Sequence, residues 1–122
     1  MDDLNKEARL LEKLAAIRES FLQRTRGELP LLRDLLGRIQ AGDTTGLRQL
    51  QSFAHRIRGS GASFDFAAVS ESAAKVEGLL EVLIGASGVT VVEPHDMRCL
   101  VECGQRLVSE IGAATTQGLA LG

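Results

Sequence analysis

Apolar side chains that recur at helical spacing are the feature that most limits what this chain can fold into. Between about Thr45 and Ala62 they fall at i, i+3, i+7, i+10 and i+14, which places them on one face of an α-helix. The residues of this stripe are Leu47, Leu50, Ala54, Ile57 and Gly61. Such a stripe is buried only when helices pack on one another.

Three further stripes predict three more helices. Their residues are Leu22, Thr25, Leu29, Leu32, Leu36 and Ile39, then Phe66, Val69, Ala73, Val76, Leu80 and Leu83, and last Met97, Leu100, Gly104, Leu107 and Ile111. Pro30 predicts a kink or a break between a short additional N-terminal helix and a longer second one. We expect a nearly continuous helix that bends there. Short turns between the segments favour an all-α fold, an antiparallel up-down four-helix bundle.

Capping and breaking residues predict where these helices begin and end. Asp43 or Thr44 is expected to cap the second helix, and Asp65 to cap the third. Gly85 is expected to end the third helix, and Pro94 fits the first position of the last one. The stretch between Gly85 and Pro94 should form a loop.

The length and charge indicate one domain without a nucleic-acid-binding face. A chain of 122 residues can bury its own core. We expect residues 1–122 to form a single bundle with a core at about 21–111 and a frayed tail at 113–122. The net charge is -2 with both signs spread along the chain, which disfavours a basic surface. With neither a secretory signal nor a membrane-spanning run recognised, we expect a cytoplasmic monomer.

His55 lies opposite the apolar stripe of its helix. Because helical side chains lean toward the N-terminus, residues three and four positions later are the ones that cover it. Arg58 can therefore reach the imidazole, whereas Gly59 leaves it open. Glycine inside a helix costs roughly 1 kcal/mol relative to alanine, and an uncovered imidazole is a reason to accept that cost. The surface neighbours of His55 are Arg48, Gln51, Ser52, Arg58, Gly59 and Ala62.

This combination suits a phosphoryl acceptor. A neutral imidazole has one ring nitrogen with a free lone pair, which can act as a nucleophile. A guanidinium nearby can hold a phosphoryl group on that nitrogen by charge-assisted hydrogen bonds.

The run His55-x-x-Arg58-Gly59-Ser60, followed by an amphipathic helix with Val76-Glu77, resembles the signature of histidine-containing phosphotransfer (HPt) domains, whose usual form is His-x-x-Lys-Gly-Ser. The resemblance extends over about residues 21–111. It implies a four-helix bundle that relays a phosphoryl group between the aspartates of response-regulator receiver domains. Arg58 stands where lysine is more usual, which preserves the charge.

The resemblance also implies the roles of individual residues and the partners. His55 would be the phosphoacceptor, through its Nε2 atom, and Arg58 would stabilise the phosphoryl group. Receiver domains and a hybrid sensor histidine kinase would be the partners, and Mg²⁺ would be bound by the receiver rather than by this chain, which needs no cofactor or metal. Since no nucleotide-binding loop is recognised, we expect a phosphotransfer intermediate without ATP-dependent kinase activity.

Two residues near this motif need separate treatment. Asp65 stands where the family often has a glycine, which should change only the turn after the histidine helix. Glu77 lies where the family often places Glu or Gln near the phosphorylated ring, although it could equally be a boundary carboxylate that pairs with an arginine. Together with five neighbours of His55, it forms the expected receiver-docking surface and rim: Arg48, Gln51, Ser52, Gly59, Ala62 and Glu77.

Two other functions stay open at this point. A helical adaptor could bind receiver domains without being phosphorylated. A nucleic-acid-binding bundle could use Arg48, Arg56 and Arg58, although the acidic balance and the scarcity of aromatic residues disfavour it.

A second titratable cluster lies on the last helix. His95, Cys99 and Cys103 recur every four residues, so the outer two lie about 12 Å apart along the axis, too far for one metal ion. Two cysteines one turn apart on a helix also make a poor disulfide. We therefore expect two free thiols and no metal site.

Overall fold

The structure, a computed structural model, describes residues 2–85 and 93–121, with side chains over 3–85 and 93–116. This part of the chain forms four α-helices and no strand, which confirms the all-α prediction. The helices are α1 (Asp2–Gln40), α2 (Leu47–Ser63), α3 (Ala67–Ile84) and α4 (Pro94–Leu121). Within these ranges, no helix combines the length and apolar character that a membrane span requires.

The four helices share one aliphatic core. The whole predicted stripe of α2 is buried, together with Phe53. α2 packs mainly on α3, and α4 packs on both α1 and α3. One end of the core is closed by three phenylalanines, with the Phe21 ring centroid 5.4 Å from that of Phe64 and 5.5 Å from that of Phe66. The buried side of α2 is thus fixed, and His55 faces away from it.

The sequence predicts a short additional N-terminal helix, but the N-terminal residues do not form a helix of their own. α1 runs without a break from Asp2 to Gln40, with Pro30 inside it. Pro30 removes the hydrogen-bond donor for the carbonyl of Arg26. Because both residues are exposed, water can satisfy that carbonyl and the helix continues. The short additional helix of the sequence prediction is instead the first part of α1.

The last helix, α4, continues to Leu121, through the segment in which we expect a frayed tail. Thr115 is buried, and its hydroxyl donates a hydrogen bond of 3.1 Å to the carbonyl of Ile111. Ala114 packs against the core. Tertiary packing therefore supports the helix at Ala114 and Thr115.

The expected cap of α2 is absent. Gly46 occupies the N-cap position, and no side chain bonds there. Asp43 forms a local turn instead, since its Oδ1 accepts hydrogen bonds from the hydroxyl and the backbone N–H of Thr45, at 2.6 and 3.0 Å. These two bonds lower the pKa of the Asp43 carboxyl. At the other ends, Gly85 terminates α3 and Pro94 begins α4, as predicted.

Asp65 does not cap α3 either, because Phe66 occupies that position and no side-chain cap forms. Asp65 adopts a left-handed backbone conformation with φ of 64°. A residue with a Cβ atom is strained there, and glycine is not. We expect Asp65→Gly to raise the free energy of unfolding by about 0.5–1 kcal/mol, measured by denaturant unfolding. A less stable variant would mean that the carboxylate contributes more than the strain costs.

Candidate functional site

His55 projects from the outer face of α2, and its side chain is 67% exposed. Its predicted surface neighbours lie around it on the same side of the helix. Gln51 is half-buried, and the others are exposed: Arg48, Ser52, Arg58, Gly59 and Ala62. The buried stripe of α2 and this exposed face are the two sides of one amphipathic helix, so the core anchors the helix that presents His55.

Glu77 of α3 lies beneath this face and contacts both the imidazole and the guanidinium. Its side chain is only 8% exposed, and Oε1 lies 2.7 Å from Nδ1 of His55. Oε2 lies 3.1 Å from Nη1 of Arg58. Glu77 thus combines both interpretations that the sequence left open, the residue beside the ring and the partner of an arginine.

The contact with Glu77 determines which ring nitrogen of His55 can react. A carboxylate can only accept hydrogen bonds, so Nδ1 carries the proton and donates a hydrogen bond to Oε1 of Glu77. The lone pair is then on Nε2. Glu77 therefore fixes both the tautomer and the ring orientation.

The contact between Arg58 and Glu77 is an ion pair rather than a hydrogen bond. The buried Oε2 has no hydrogen-bond partner in the described part of the chain, although Nη1 is within ion-pair distance. The guanidinium is therefore held loosely enough to use its N–H groups elsewhere. A phosphoryl group on the neighbouring ring would offer strong acceptors for them.

A close approach of α2 and α3 positions Glu77 under the ring. A Cβ atom on Gly61 would lie 3.2 Å from the backbone nitrogen of Ser70, so only glycine allows this contact without displacement. The hydroxyl of Ser70 donates a 2.8 Å hydrogen bond to the carbonyl of Arg58. We did not anticipate Ser70 from the sequence. The glycine at position 61 of the buried stripe was the one signal of a close helix contact.

The surface beside His55 is open at Gly59. A Cβ atom added there would meet no heavy atom within 4 Å. Gly104 on α4 differs, because a Cβ atom there would collide with the side chain of Leu36. Packing therefore explains Gly104, whereas nothing in the described part of the chain requires a glycine at position 59.

Arg56 faces α1 and pairs with Glu28 in a two-pronged contact, one arm of which measures 3.0 Å. Arg24 also approaches Glu28, at 3.5 Å. Arg56 and Arg58, two of the three arginines required by a nucleic-acid-binding bundle, are thus each paired with a carboxylate. Arg48 has no ion pair within residues 2–85 and 93–121. Glu28 was not identified from the sequence, because nothing in the local pattern links it to α2.

The cluster on α4 forms one weak contact. Sγ of Cys99 lies 3.7 Å from Nε2 of His95. Cys99 and Cys103 are free thiols and half-buried. Across the described ranges, no group of three or more histidine, cysteine or acidic side chains is placed to hold a metal ion.

Comparison with known proteins gives one match. The family model described as "Hpt domain" matches residues 16–114, a segment that includes His55, Arg58 and Glu77. Comparisons with curated proteins and with solved structures give no match.

Proposed function

Because this chain belongs to the Hpt domain family, which has a phosphotransfer role in two-component signalling, we propose that it is a phosphocarrier with His55 as the phosphoacceptor. His55 would accept a phosphoryl group from one receiver-domain aspartate and pass it reversibly to another. The observation that carries the proposal is the exposed imidazole, held through Nδ1 by the buried carboxylate of Glu77 at 2.7 Å.

In the proposed step, the lone pair of Nε2 attacks the phosphorus of an aspartyl phosphate. The N–P bond forms as the bond from phosphorus to the aspartate oxygen breaks, and the aspartate leaves as a carboxylate. The imidazole becomes positively charged, with its proton still on Nδ1. Glu77 offsets that charge at hydrogen-bond distance, and the reverse reaction follows the same path.

Arg58 is the group that we propose stabilises the phosphoryl oxygens. Its side chain, one turn after His55, is 46% exposed. Contact with a phosphoryl oxygen would extend the ion pair with Glu77 into a chain of alternating charges. This arrangement stabilises the transferred group mainly by electrostatics, which is the usual requirement of phosphoryl transfer.

The remaining requirements of the reaction fall to the partner. We propose that receiver domains, including one on a hybrid sensor histidine kinase, supply both the aspartate and the Mg²⁺. The docking surface would comprise Arg48, Gln51, Ser52, Gly59 and Ala62 around the ring. Four of these residues are exposed and Gln51 is half-buried, which supports this assignment.

We also infer that the bundle is antiparallel and up-down. Glu28 of α1 pairs with Arg56 of α2, whereas Leu35, later in α1, reaches Gly46, the N-cap residue of α2. Contacts from Gly61 to Ser70 and from His55 to Glu77 run in the same reversed order between α2 and α3. Both sets of contacts support antiparallel neighbours.

The proposed function is tested by incubating the protein with a receiver domain labelled on its aspartyl phosphate. We expect the label to move to this chain, in an acid-labile and alkali-stable form, and then to a second, unlabelled receiver. Retention of all label on the first receiver, across a panel of receivers from the same cell, would contradict a carrier. Binding without transfer would instead indicate the adaptor.

Replacing Arg58 with alanine should keep His55 as the acceptor but slow the transfer. Hydrogen bonds to charged groups contribute about 1.5–3 kcal/mol, so we expect a rate about 10- to 100-fold lower and a shorter-lived phosphorylated form. Arg58→Lys should be milder because it keeps the charge. Arg106→Ala on α4 is the matched control. Transfer by Arg58→Ala at the parent rate would exclude this electrostatic role.

Glu77→Gln should lower the transfer rate less than Arg58→Ala does. The amide oxygen can still accept a hydrogen bond from Nδ1 of His55, but it carries no charge. Replacing a charged hydrogen bond with a neutral one costs about 1 kcal/mol, so we expect a rate about fivefold lower. Nitrogen NMR chemical shifts of His55 report the tautomer. An unchanged rate and an unchanged tautomer in Glu77→Leu would show that Glu77 does not position the ring.

A further inference from the structure

The first part of α1 extends beyond the core with an exposed apolar face. Every side chain of residues 3–20, the N-terminal arm, is exposed. Five of them are large and apolar: Leu4 at 70%, Leu10 at 57%, Leu11 at 63%, Leu14 at 44% and Ile17 at 48%. At 100° per residue all five fall within one half of the helix circumference.

This face lies largely outside the part of the chain that the family model matches, which begins at residue 16. An isolated helix of this length is marginal in water, since most helical stability in proteins comes from packing. Contiguous exposed apolar surface of this kind usually marks an interaction site. The arm therefore requires a partner surface that the bundle does not supply.

The order of residues along the face identifies a matching surface. Glu7, Leu11, Leu14 and Arg18 follow one another at intervals of four, three and four residues and form the central row of the face. The intervals are the same when the row is read backwards. An antiparallel copy of the row would therefore place Leu11 opposite Leu14 and Glu7 opposite Arg18. A parallel copy would place Glu7 opposite Glu7 and Arg18 opposite Arg18, so that like charges meet.

The position of the bundle favours the same orientation. Leu4, Ala8, Leu11 and Ala15 continue the spacing of the core-facing stripe of α1 toward the N-terminus. A helix laid on that side in parallel would run into the other three helices. An antiparallel helix would lead away from them. Arg18 marks the end of the bundle, with its guanidinium 5.1 Å from the ring centroid of Phe66.

We propose that the N-terminal arm is a homodimerisation surface, on which two copies of this chain pair antiparallel through the central row and its apolar neighbours. The apolar side chains exclude water, and the two contacts between Glu7 and Arg18 set the orientation. A dimer replaces the monomer that we expected from the sequence. The inference does not depend on phosphotransfer by His55.

Sedimentation equilibrium of the full chain tests the proposal. We expect a mass of twice 13.1 kDa that dissociates on dilution, with Leu11→Glu and Leu14→Glu each raising the dissociation constant by about 10-fold or more. Val82 is the matched control, since it is apolar and 79% exposed on α3, and Val82→Glu should leave the dimer intact. A parent chain that stays monomeric up to about 1 mM, or a dimer indifferent to both leucine changes, would overturn the proposal.

Charge reversal tests the orientation. In the antiparallel dimer Glu7→Arg or Arg18→Glu alone creates two like-charge contacts, so we expect the dissociation constant to rise about 3- to 30-fold. The double variant restores both pairs and should dimerise like the parent. A parallel dimer predicts no effect of either single change. Circular dichroism checks that each variant is folded, and a double variant as weak as the singles would exclude the antiparallel arrangement.

Discussion

Replacing His55 with glutamine is expected to abolish phosphoryl transfer from a labelled receiver while leaving the helices intact. The side chain is 67% exposed, so the change removes no core contact and should alter stability by no more than about 0.5 kcal/mol. The glutamine amide can still donate a hydrogen bond to the buried carboxylate of Glu77. It has no lone pair comparable to that of Nε2, so the nucleophile alone is lost.

Label transfer and circular dichroism measure the two halves of this prediction. His95→Gln is the matched control, because His95 is the other histidine of the chain and is also exposed. It should transfer like the parent. Acid-labile, alkali-stable label persisting on His55→Gln would place the acceptor elsewhere.

Replacing Gly59 with glutamine should block the approach of a receiver without harming the fold. A Cβ atom there meets nothing within 4 Å, and glutamine raises helix propensity by about 0.5–1 kcal/mol. The variant should therefore be at least as stable as the parent. A receiver must bring its aspartate within covalent reach of His55, and a displacement of about 1 Å can cost about 100-fold in rate.

Two comparisons separate bulk at the site from bulk elsewhere. Gly37→Gln on α1 is the matched control, since a Cβ atom there also meets nothing within 4 Å, and it should transfer normally. Phosphoramidate, a small donor that needs no docking surface, should still label Gly59→Gln. Melting temperature and receiver-dependent rate are both measured. A variant as stable and as fast as the parent would mean that Gly59 does not guard the approach.

The residues of the buried stripes were predictable because amphipathic periodicity is local. Leu50 and Ile57 of α2 and Val76 of α3 each belong to a series whose intervals only a helix places on one side, and all three are fully buried. The exposed position of His55 follows from the same geometry. The pairing of side chains between different helices does not follow from that geometry. The contacts of Glu77 and Glu28 depend on how closely two helices approach, and the sequence gives little information about that distance.

The misjudged boundaries have the same origin. The expected caps relied on side-chain preferences, yet Asp43 bonds to Thr45, and Asp65 takes the left-handed turn. The expectation of a short separate helix ahead of Pro30 ignored that an exposed carbonyl can be hydrated. In each case a tertiary or solvent contact outweighed a local preference.

The hydrogen bond from Ser70 to the backbone of Arg58 has a consequence for how a phosphorylated molecule is distinguished from an unphosphorylated one. It joins α2 to α3 one turn after His55, so phosphorylation of His55 would add negative charge to a fixed surface rather than reshape it. A visiting receiver would then discriminate between the two states by electric potential at contact. Because dissolved ions screen exposed charges beyond about 8 Å at physiological ionic strength, that discrimination should weaken as salt is added.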